Sequence, residues 1–293
     1  MPVSRIHIEE FLALSGRMPL LDVRSPGEFT QAHIPGAVSL PLFSDEERKI
    51  IGTAYKQESR EKAIKIGLDA FGKKMVSLVE QAEKICNGRP DKSREICLHC
   101  WRGGMRSGAV AWLLDLYGFK VYLLAGGYKS YRHWVISHFE KPWPLLLVGG
   151  YTGGNKTGVI THLKKLNHQV VDLEDLAIHK GSAFGNLEYT PQPSQEMFEN
   201  LLAAELHRFG NSTAPIWVEA ESQRLGYVNI PQGFFNTMRL CPLFFLDIPF
   251  EQRLQHIVAG YGKYEKDRIV SGILRIKKRL GGLETKTAIK CLL

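Results

Sequence analysis

The passage from Glu95 to Leu114 constrains the fold more than any other. A strand-length run, Glu95-Ile96-Cys97-Leu98-His99, leads into Cys100-Trp101-Arg102-Gly103-Gly104-Met105-Arg106-Ser107, and a helical pattern, Ala109-Val110-Ala111-Trp112-Leu113-Leu114, follows. A strand that feeds a glycine-bearing loop and then a helix is the building unit of an α/β fold. It sets Cys100 at a helix N-terminus, where backbone N–H groups are unpaired and the helix dipole is positive. Gly103 and Gly104 let the backbone curl close around whatever Cys100 carries. Arg102 and Arg106 add positive charge, which favours thiolate over thiol. The pattern points to an anionic nucleophile that accepts and hands on a charged group, with Cys100, Arg102 and Arg106 as the catalytic candidates.

The other four cysteines, Cys86, Cys97, Cys241 and Cys291, are expected to be small buried hydrophobes. Cys97 and Cys100 form a C-x-x-C pair, but zinc needs a second ligand pair, and none is visible. A thioredoxin-type motif opens its helix with the first cysteine, whereas here the second stands at that point. No metal-ligand set is expected.

Around this unit the chain reads as alternating strands and helices. A short strand and helix fill residues 1–15, Leu20-Leu21-Asp22-Val23 is a buried strand, and residues 44–75 are charged and helix-prone. Asp22 and Arg24 read as a structural ion pair supporting the loops. A helix over 105–117 stops at Gly118, and Lys120-Val121-Tyr122-Leu123-Leu124 gives a further strand. Phe139-Glu140-Lys141-Pro142-Trp143-Pro144 is the natural boundary, since two prolines one residue apart cannot continue a helix. The expected domains are 1–140 and 141–293.

The second domain opens on the same device. Leu145-Leu146-Leu147-Val148 runs into Gly149-Gly150-Tyr151-Thr152-Gly153-Gly154-Asn155-Lys156-Thr157, which is strand, glycine-rich loop, Lys-Thr and helix. This is the phosphate-cradling P-loop arrangement: backbone N–H groups ring the oxygens, lysine adds charge, and threonine reaches a bound magnesium ion. Gly150, Thr152, Gly153, Gly154, Lys156 and Thr157 are its binding candidates. Asn155 stands where the pattern asks for glycine, and asparagine tolerates left-handed backbone angles. Two later strands, Val170-Val171-Asp172-Leu173-Glu174-Asp175 and Ile216-Trp217-Val218-Glu219-Ala220-Glu221, end in carboxylates placed to hold magnesium, act as a base or cap a helix. Glu219 joins the binding candidates. The loop 179–185 is polar and glycine-bearing, as a substrate clamp would be, and Leu243-Phe244-Phe245-Leu246-Asp247 is the last evident strand.

Charge adds a partner class. Ten Lys or Arg against three Asp or Glu lie between Arg253 and Lys290, so most of the chain's net +8 sits in this one segment. Ile269, Ile273, Ile276 and Leu280 form an apolar helical stripe with Arg275, Lys277, Lys278 and Arg279 around it. Such a helix lies along phosphates or is simply a solvated face. The N-terminus lacks a signal-peptide core and no apolar run approaches a membrane span. With five cysteines in no framework spacing, the expectation is a cytoplasmic protein without a membrane partner.

Leu21-Asp22-Val23-Arg24-Ser25-Pro26-Gly27-Glu28-Phe29 and His33-Ile34-Pro35-Gly36-Ala37-Val38, together with the Cys100 loop, resemble a rhodanese domain, which carries sulfur or selenium on its cysteine. Taken with Gly150-Tyr151-Thr152-Gly153, Asp172-Leu173-Glu174, His179-Lys180-Gly181-Ser182-Ala183-Phe184-Gly185 and Trp217-Val218-Glu219-Ala220-Glu221-Ser222, the order resembles the tRNA 2-selenouridine synthase family from about residue 5 to Gly282. The resemblance implies an α/β chain with an N-terminal rhodanese-like domain on a mostly parallel sheet and a C-terminal P-loop NTPase-like domain. It also implies a transferase that replaces the sulfur of wobble 2-thiouridine in tRNA with selenium from selenophosphate, through an S-geranylated intermediate made from geranyl diphosphate. Cys100 then corresponds to the selenium-handling cysteine and loop 150–157 to the P-loop, with Mg2+ as an optional companion. A selenophosphate-producing enzyme becomes the implied partner. The stretch after Gly281-Gly282 departs from the family's pattern and reads as a C-terminal truncation or frame shift. Two other readings stand beside this one: a sulfurtransferase or persulfide carrier that never touches RNA, and a non-catalytic RNA-binding protein that keeps only the fold.

Overall fold

The computed structural model describes residues 3–90, 93–181, 191–210 and 212–292. The chain divides into two compact units, Met1–Ile136 and Ser137–Leu293, and the division falls inside the helix Gly127–His138.

In the first unit five strands form one parallel sheet. They are β1 (Ser4–Ile6), β2 (Leu20–Asp22), β3 (Val38–Ser39), β4 (Glu95–His99) and β5 (Lys120–Leu124), in the order β1-β5-β4-β2-β3. β4 lies at the centre, and Ile96, Cys97 and Leu98 are fully buried because helices cover both faces of the sheet. The charged segment after residue 44 folds as the helices Asp45–Gln57, Arg60–Gly72 and Met75–Asn87. Serines cap the first two: Ser44 accepts from the Glu47 N–H and Ser59 from the Lys62 N–H. Gly118, at φ 98°, ends the helix Met105–Leu116, as its position predicts.

The second unit carries a four-stranded parallel sheet of β6 (Leu145–Gly150), β7 (Gln169–Val171), β8 (Ile216–Glu219) and β11 (Leu243–Leu246), ordered β11-β6-β8-β7. A hairpin of β9 (Arg224–Leu225) and β10 (Val228–Asn229) stands apart from it. β6 is an inner strand, so the loop after it opens at the carboxyl edge of the sheet, where ligands of open α/β folds bind.

Two expectations need correction here. The basic stripe does not lie on one helix: Lys266–Arg275 ends at Ile276 (φ −95°, ψ 5°), and a short helix, Lys277–Leu280, follows. Ile273 is buried, Ile269, Ile276 and Leu280 are half-buried, and Lys277, Lys278 and Arg279 are exposed, so the division into apolar and basic sides survives the break. Nor are all four remaining cysteines buried. Cys86 and Cys97 are, but Cys241 is half-buried and Cys291 exposed. Cys291 sits on the helix Gly282–Leu292, whose buried residue is Thr285; at 3.6 residues per turn the two point to different sides. No helix among the described residues is long and apolar enough to cross a membrane.

Candidate active sites on two strand-to-helix loops

Cys100 is the first residue past β4, and the loop after it closes at Gly104, which caps the helix Met105–Leu116. The loop is held from outside. The N–H groups of Tyr128 and Lys129, at the start of the helix Gly127–His138, donate to the carbonyls of Cys100 and Trp101 at 2.8 and 2.9 Å. This clamp requires glycine at two places. Gly103 (φ 64°) would drive a Cβ to 2.7 Å from the Leu124 carbonyl, and a Cβ on Gly127 (φ 60°) would strike the Cys100 carbonyl and the Gly103 nitrogen.

The Cys100 sulfur is buried and lies 3.1 Å from Ser107 Oγ. Burial pushes its thiol up, but this is outweighed by the Ser107 hydroxyl, the backbone N–H groups of Ser107 and Arg102, and the charge of Arg106. The net shift is downward, towards thiolate. Cys97 behaves oppositely. Burial, with the Glu95 charge, raises it to about 12, so it stays an inert thiol.

The two arginines play different parts. Arg106 forks onto Glu28, Nη1 to Oε2 at 2.6 Å and Nη2 to Oε1 at 3.3 Å, and Glu28 also accepts from the Ser25 N–H. Glu28 is pushed up by burial, yet Arg106 and that N–H hold it below the usual carboxylate range. Arg102 contributes its N–H to the sulfur while its own side chain is exposed. Asp22 and Arg24 form the expected buried pair, Nη2 to Oδ2 at 2.6 Å, and Arg24 also donates to the Ala32 carbonyl and lies over the Tyr128 ring. Beside them His99 is buried, its Nε2 3.7 Å from Asp22 Oδ2 and neither ring nitrogen hydrogen-bonded by a side-chain contact among the described residues. Burial lowers it to about 4, so the ring is neutral near pH 7.

In the second unit the loop after β6 has the geometry of an anion cradle. Gly153 (φ 81°) and Asn155 (φ 59°, ψ 36°) take left-handed backbone angles, and the Gly154 N–H donates to the Tyr151 carbonyl at 2.9 Å. Asn155 thus occupies the conformation that glycine would supply, at the N-cap of the helix Lys156–Lys165. Gly153 admits no side chain, since its Cβ would lie 2.6 Å from the Arg253 carbonyl.

The cleft over this loop measures about 440 Å3 and is lined by Thr152, Gly153, Gly154, Lys156 and Thr157, with Tyr151, His256 and Tyr261 around them. Lys156 Nζ is 2.7 Å from Glu221 Oε1, and Thr157 Oγ1 donates to Glu174 Oε2 at 3.1 Å. Two of the sequence candidates stand back from the cleft. Gly150 is the last residue of β6, and Glu219 is wholly buried behind the loop. Burial, together with Glu174, Asp172 and Glu221, raises Glu219 to about 8, and its Oε1 has no partner among the described residues. Glu221 is raised as well, by burial against the pull of Lys156. Asp172 caps a helix, accepting from the Asp175 N–H at 3.0 Å. Of the expected clamp loop, Lys180 and Gly181 line the cleft, while 182–185 lie outside the described residues. No three His, Cys, Asp or Glu side chains among the described residues are grouped to hold a metal ion.

Residues 7–133 match the rhodanese-like domain, and residues 143–293 match the tRNA 2-selenouridine synthase AAA domain. The chain belongs to the tRNA 2-selenouridine synthase family. Curated relatives of that name occur in Nitrosomonas europaea (40% identical, 83% of this chain, 63% of the relative), Bdellovibrio bacteriovorus (37%, 83% and 64%) and Hydrogenovibrio crunogenus (35%, 93% and 79%). The chain thus spans a little under two thirds of the first two. The second family match runs through residue 293, so it includes the stretch expected to depart from the pattern. Both strand-to-helix loops fall within the matched regions, the Cys100 loop in the rhodanese-like part and the anion cradle in the family's own AAA part.

Proposed function

We propose that this protein is a transferase that replaces the sulfur of 2-thiouridine at the tRNA wobble position with selenium from selenophosphate, through an S-geranylated intermediate. The Cys100 thiolate takes the phosphoryl group of selenophosphate, breaking the P–Se bond and freeing hydroselenide, which displaces geranylthiolate from the uridine while water later cleaves the S–P bond; the loop 151–157 cradles the diphosphate of the geranyl donor. The observation that carries the reading is the pairing, within one chain of this family, of a cysteine held towards thiolate with a glycine-rich loop under a cleft of about 440 Å3. Geranylation turns the thiocarbonyl sulfur into a better leaving group, and a selenium nucleophile then displaces it.

Each step asks something of residues already placed. The donor's diphosphate needs the N–H groups of the loop and the charge of Lys156, which must exchange Glu221 for phosphate oxygens. A magnesium ion would be held by Thr157 Oγ1, a neighbouring carboxylate such as Glu174 and the diphosphate itself, and would supply charge neutralisation there. Cys100 needs Ser107 and the loop N–H groups to hold an anionic adduct. The tRNA needs cations, which the exposed Lys277, Lys278 and Arg279 offer. Five free cysteines suit a reducing, cytoplasmic setting, where an enzyme supplying selenophosphate is the implied partner.

The test is mass spectrometry of wobble nucleosides after the protein meets 2-thiouridine tRNA, geranyl diphosphate and selenophosphate. Geranylated and then selenated uridine are expected. Transfer of the outer sulfur of added thiosulfate to Cys100, with release of sulfite and no change in any nucleoside, would instead establish a sulfur carrier that does not act on RNA.

A further inference from the structure

The first unit holds a second concavity that the chemistry above leaves unused. Between the helices Asp45–Gln57 and Arg60–Gly72 and the start of Met105–Leu116 lies a pocket of about 150 Å3. Leu42 and Phe71 are buried in its lining, and Tyr55, Leu68 and Met105 stand at it with 53, 61 and 56% of their surfaces exposed. Arg106 is the only charged residue in that lining, and its guanidinium is committed to Glu28.

We infer that this pocket binds the hydrocarbon tail of a ligand whose polar end is presented at Cys100, namely the prenyl chain on the sulfur of the modified uridine. The inference rests on the geranylated intermediate proposed above. Three observations carry it. First, position: Met105 and Arg106 line the pocket from the first turn of the helix Met105–Leu116, and Ser107 of that same turn places its Oγ 3.1 Å from the Cys100 sulfur. Second, chemistry: the lining is almost wholly apolar, and a volume of this size has room for a hydrocarbon of about benzene size. One isoprene unit is of that scale, and the exposed Tyr55, Leu68 and Met105 give the remainder of a ten-carbon chain a surface to lie on. Third, the space is kept open by the lack of a side chain. A Cβ on Gly67 would sit 3.5 Å from Phe43 and 3.9 Å from Ile51, in ordinary contact, so the site accepts a methyl group without strain and is filled only by something larger. The pocket makes and breaks no bond; it holds the apolar group in register while exchange occurs at the loop.

The experiment uses the full chain and two anticodon stem-loop RNAs, one carrying S-geranyl-2-thiouridine and the other S-methyl-2-thiouridine, with no selenium donor present. The ratio of their dissociation constants cancels every contribution from the RNA itself. The parent is expected to favour the geranyl RNA by ~10-fold or more, since each buried methylene counts for about fourfold. Gly67→Leu should bring the ratio close to one, Gly67→Ala should keep it, and both should load persulfide on Cys100 at the parent rate. Should Gly67→Leu fail to fold, Leu68→Lys decides the matter, because that side chain is too exposed for its loss to open the core; it should at least halve the ratio. A parent ratio near one, or a preference untouched by Gly67→Leu or by Leu68→Lys, overturns the pocket. Failure of the parent to convert geranylated RNA when selenophosphate is added overturns the intermediate instead, so the two failures are separate.

Discussion

The two loops share a plan and differ in where their anion comes from. Each leaves an inner strand of a parallel sheet, turns through glycines and opens a helix. At Cys100 the N–H groups and the Ser107 hydroxyl converge on the loop's own sulfur, and Glu28 takes up the nearby Arg106. Over 151–157 the loop carries no anion of its own, and its lysine rests on Glu221. One loop has its charge built in, while the other must exchange a protein carboxylate for a ligand. A fold that aims backbone dipoles at one point serves either purpose, and the side chains decide which.

The largest expected effect breaks the second loop alone. Lys156→Ala removes the lysine of the loop itself and should lower geranyl transfer by about 100-fold, the scale of losing a main electrostatic donor. Persulfide loading at Cys100 should keep its parent rate. Loss of both activities together would mean that the loops are not independent devices.

Ser107→Ala tests the built-in anion. Losing a hydrogen bond that favours the thiolate raises the thiol's pKa, so alkylation of Cys100 at neutral pH should slow by up to ~10-fold. A pH profile of iodoacetamide reaction reads this directly, and an unmoved midpoint would leave the backbone N–H groups and the Arg106 charge as the cause.

The smallest effect sharpens the role of the buried carboxylates. Glu219 binds its proton more tightly folded than unfolded, so its contribution to stability is fully present below about pH 4.5 and is lost as pH rises through about 8. Glu219→Gln keeps the neutral shape at every pH. Its melting temperature should match the parent near pH 5 and exceed it by a few degrees at pH 9; a constant offset would show that this group does not titrate there.

Much of this was legible beforehand because it is local. Alternating strand and helix patterns, the placement of Cys100 at a helix start and the tolerance of Asn155 for left-handed angles all follow from neighbours in sequence. What escaped is long-range or depends on where an element ends. Nothing near Arg106 in sequence announces Glu28, which lies 78 residues away. Ser107 was visible as the end of the motif, but only the curl of the loop turns its hydroxyl back to the sulfur. Of the two carboxylates in Glu219-Ala220-Glu221, the one still on β8 points into the core, and the one past its end reaches Lys156. The break at Ile276 has no glycine or proline to signal it. There the Ile276 N–H bonds back only three residues, to Ile273, and the helix Lys277–Leu280 starts afresh.

The central claim, that selenium delivery depends on Cys100 in the first loop while prenyl transfer depends on the second, is tested by Cys100→Ala with geranylated and selenated wobble nucleosides measured separately. Geranylated uridine should accumulate at close to the parent rate while selenouridine is absent, and Cys97→Ala should make both. Selenouridine formed by Cys100→Ala at near the parent rate would contradict the account, because selenophosphate would then act on the RNA without passing through the cysteine.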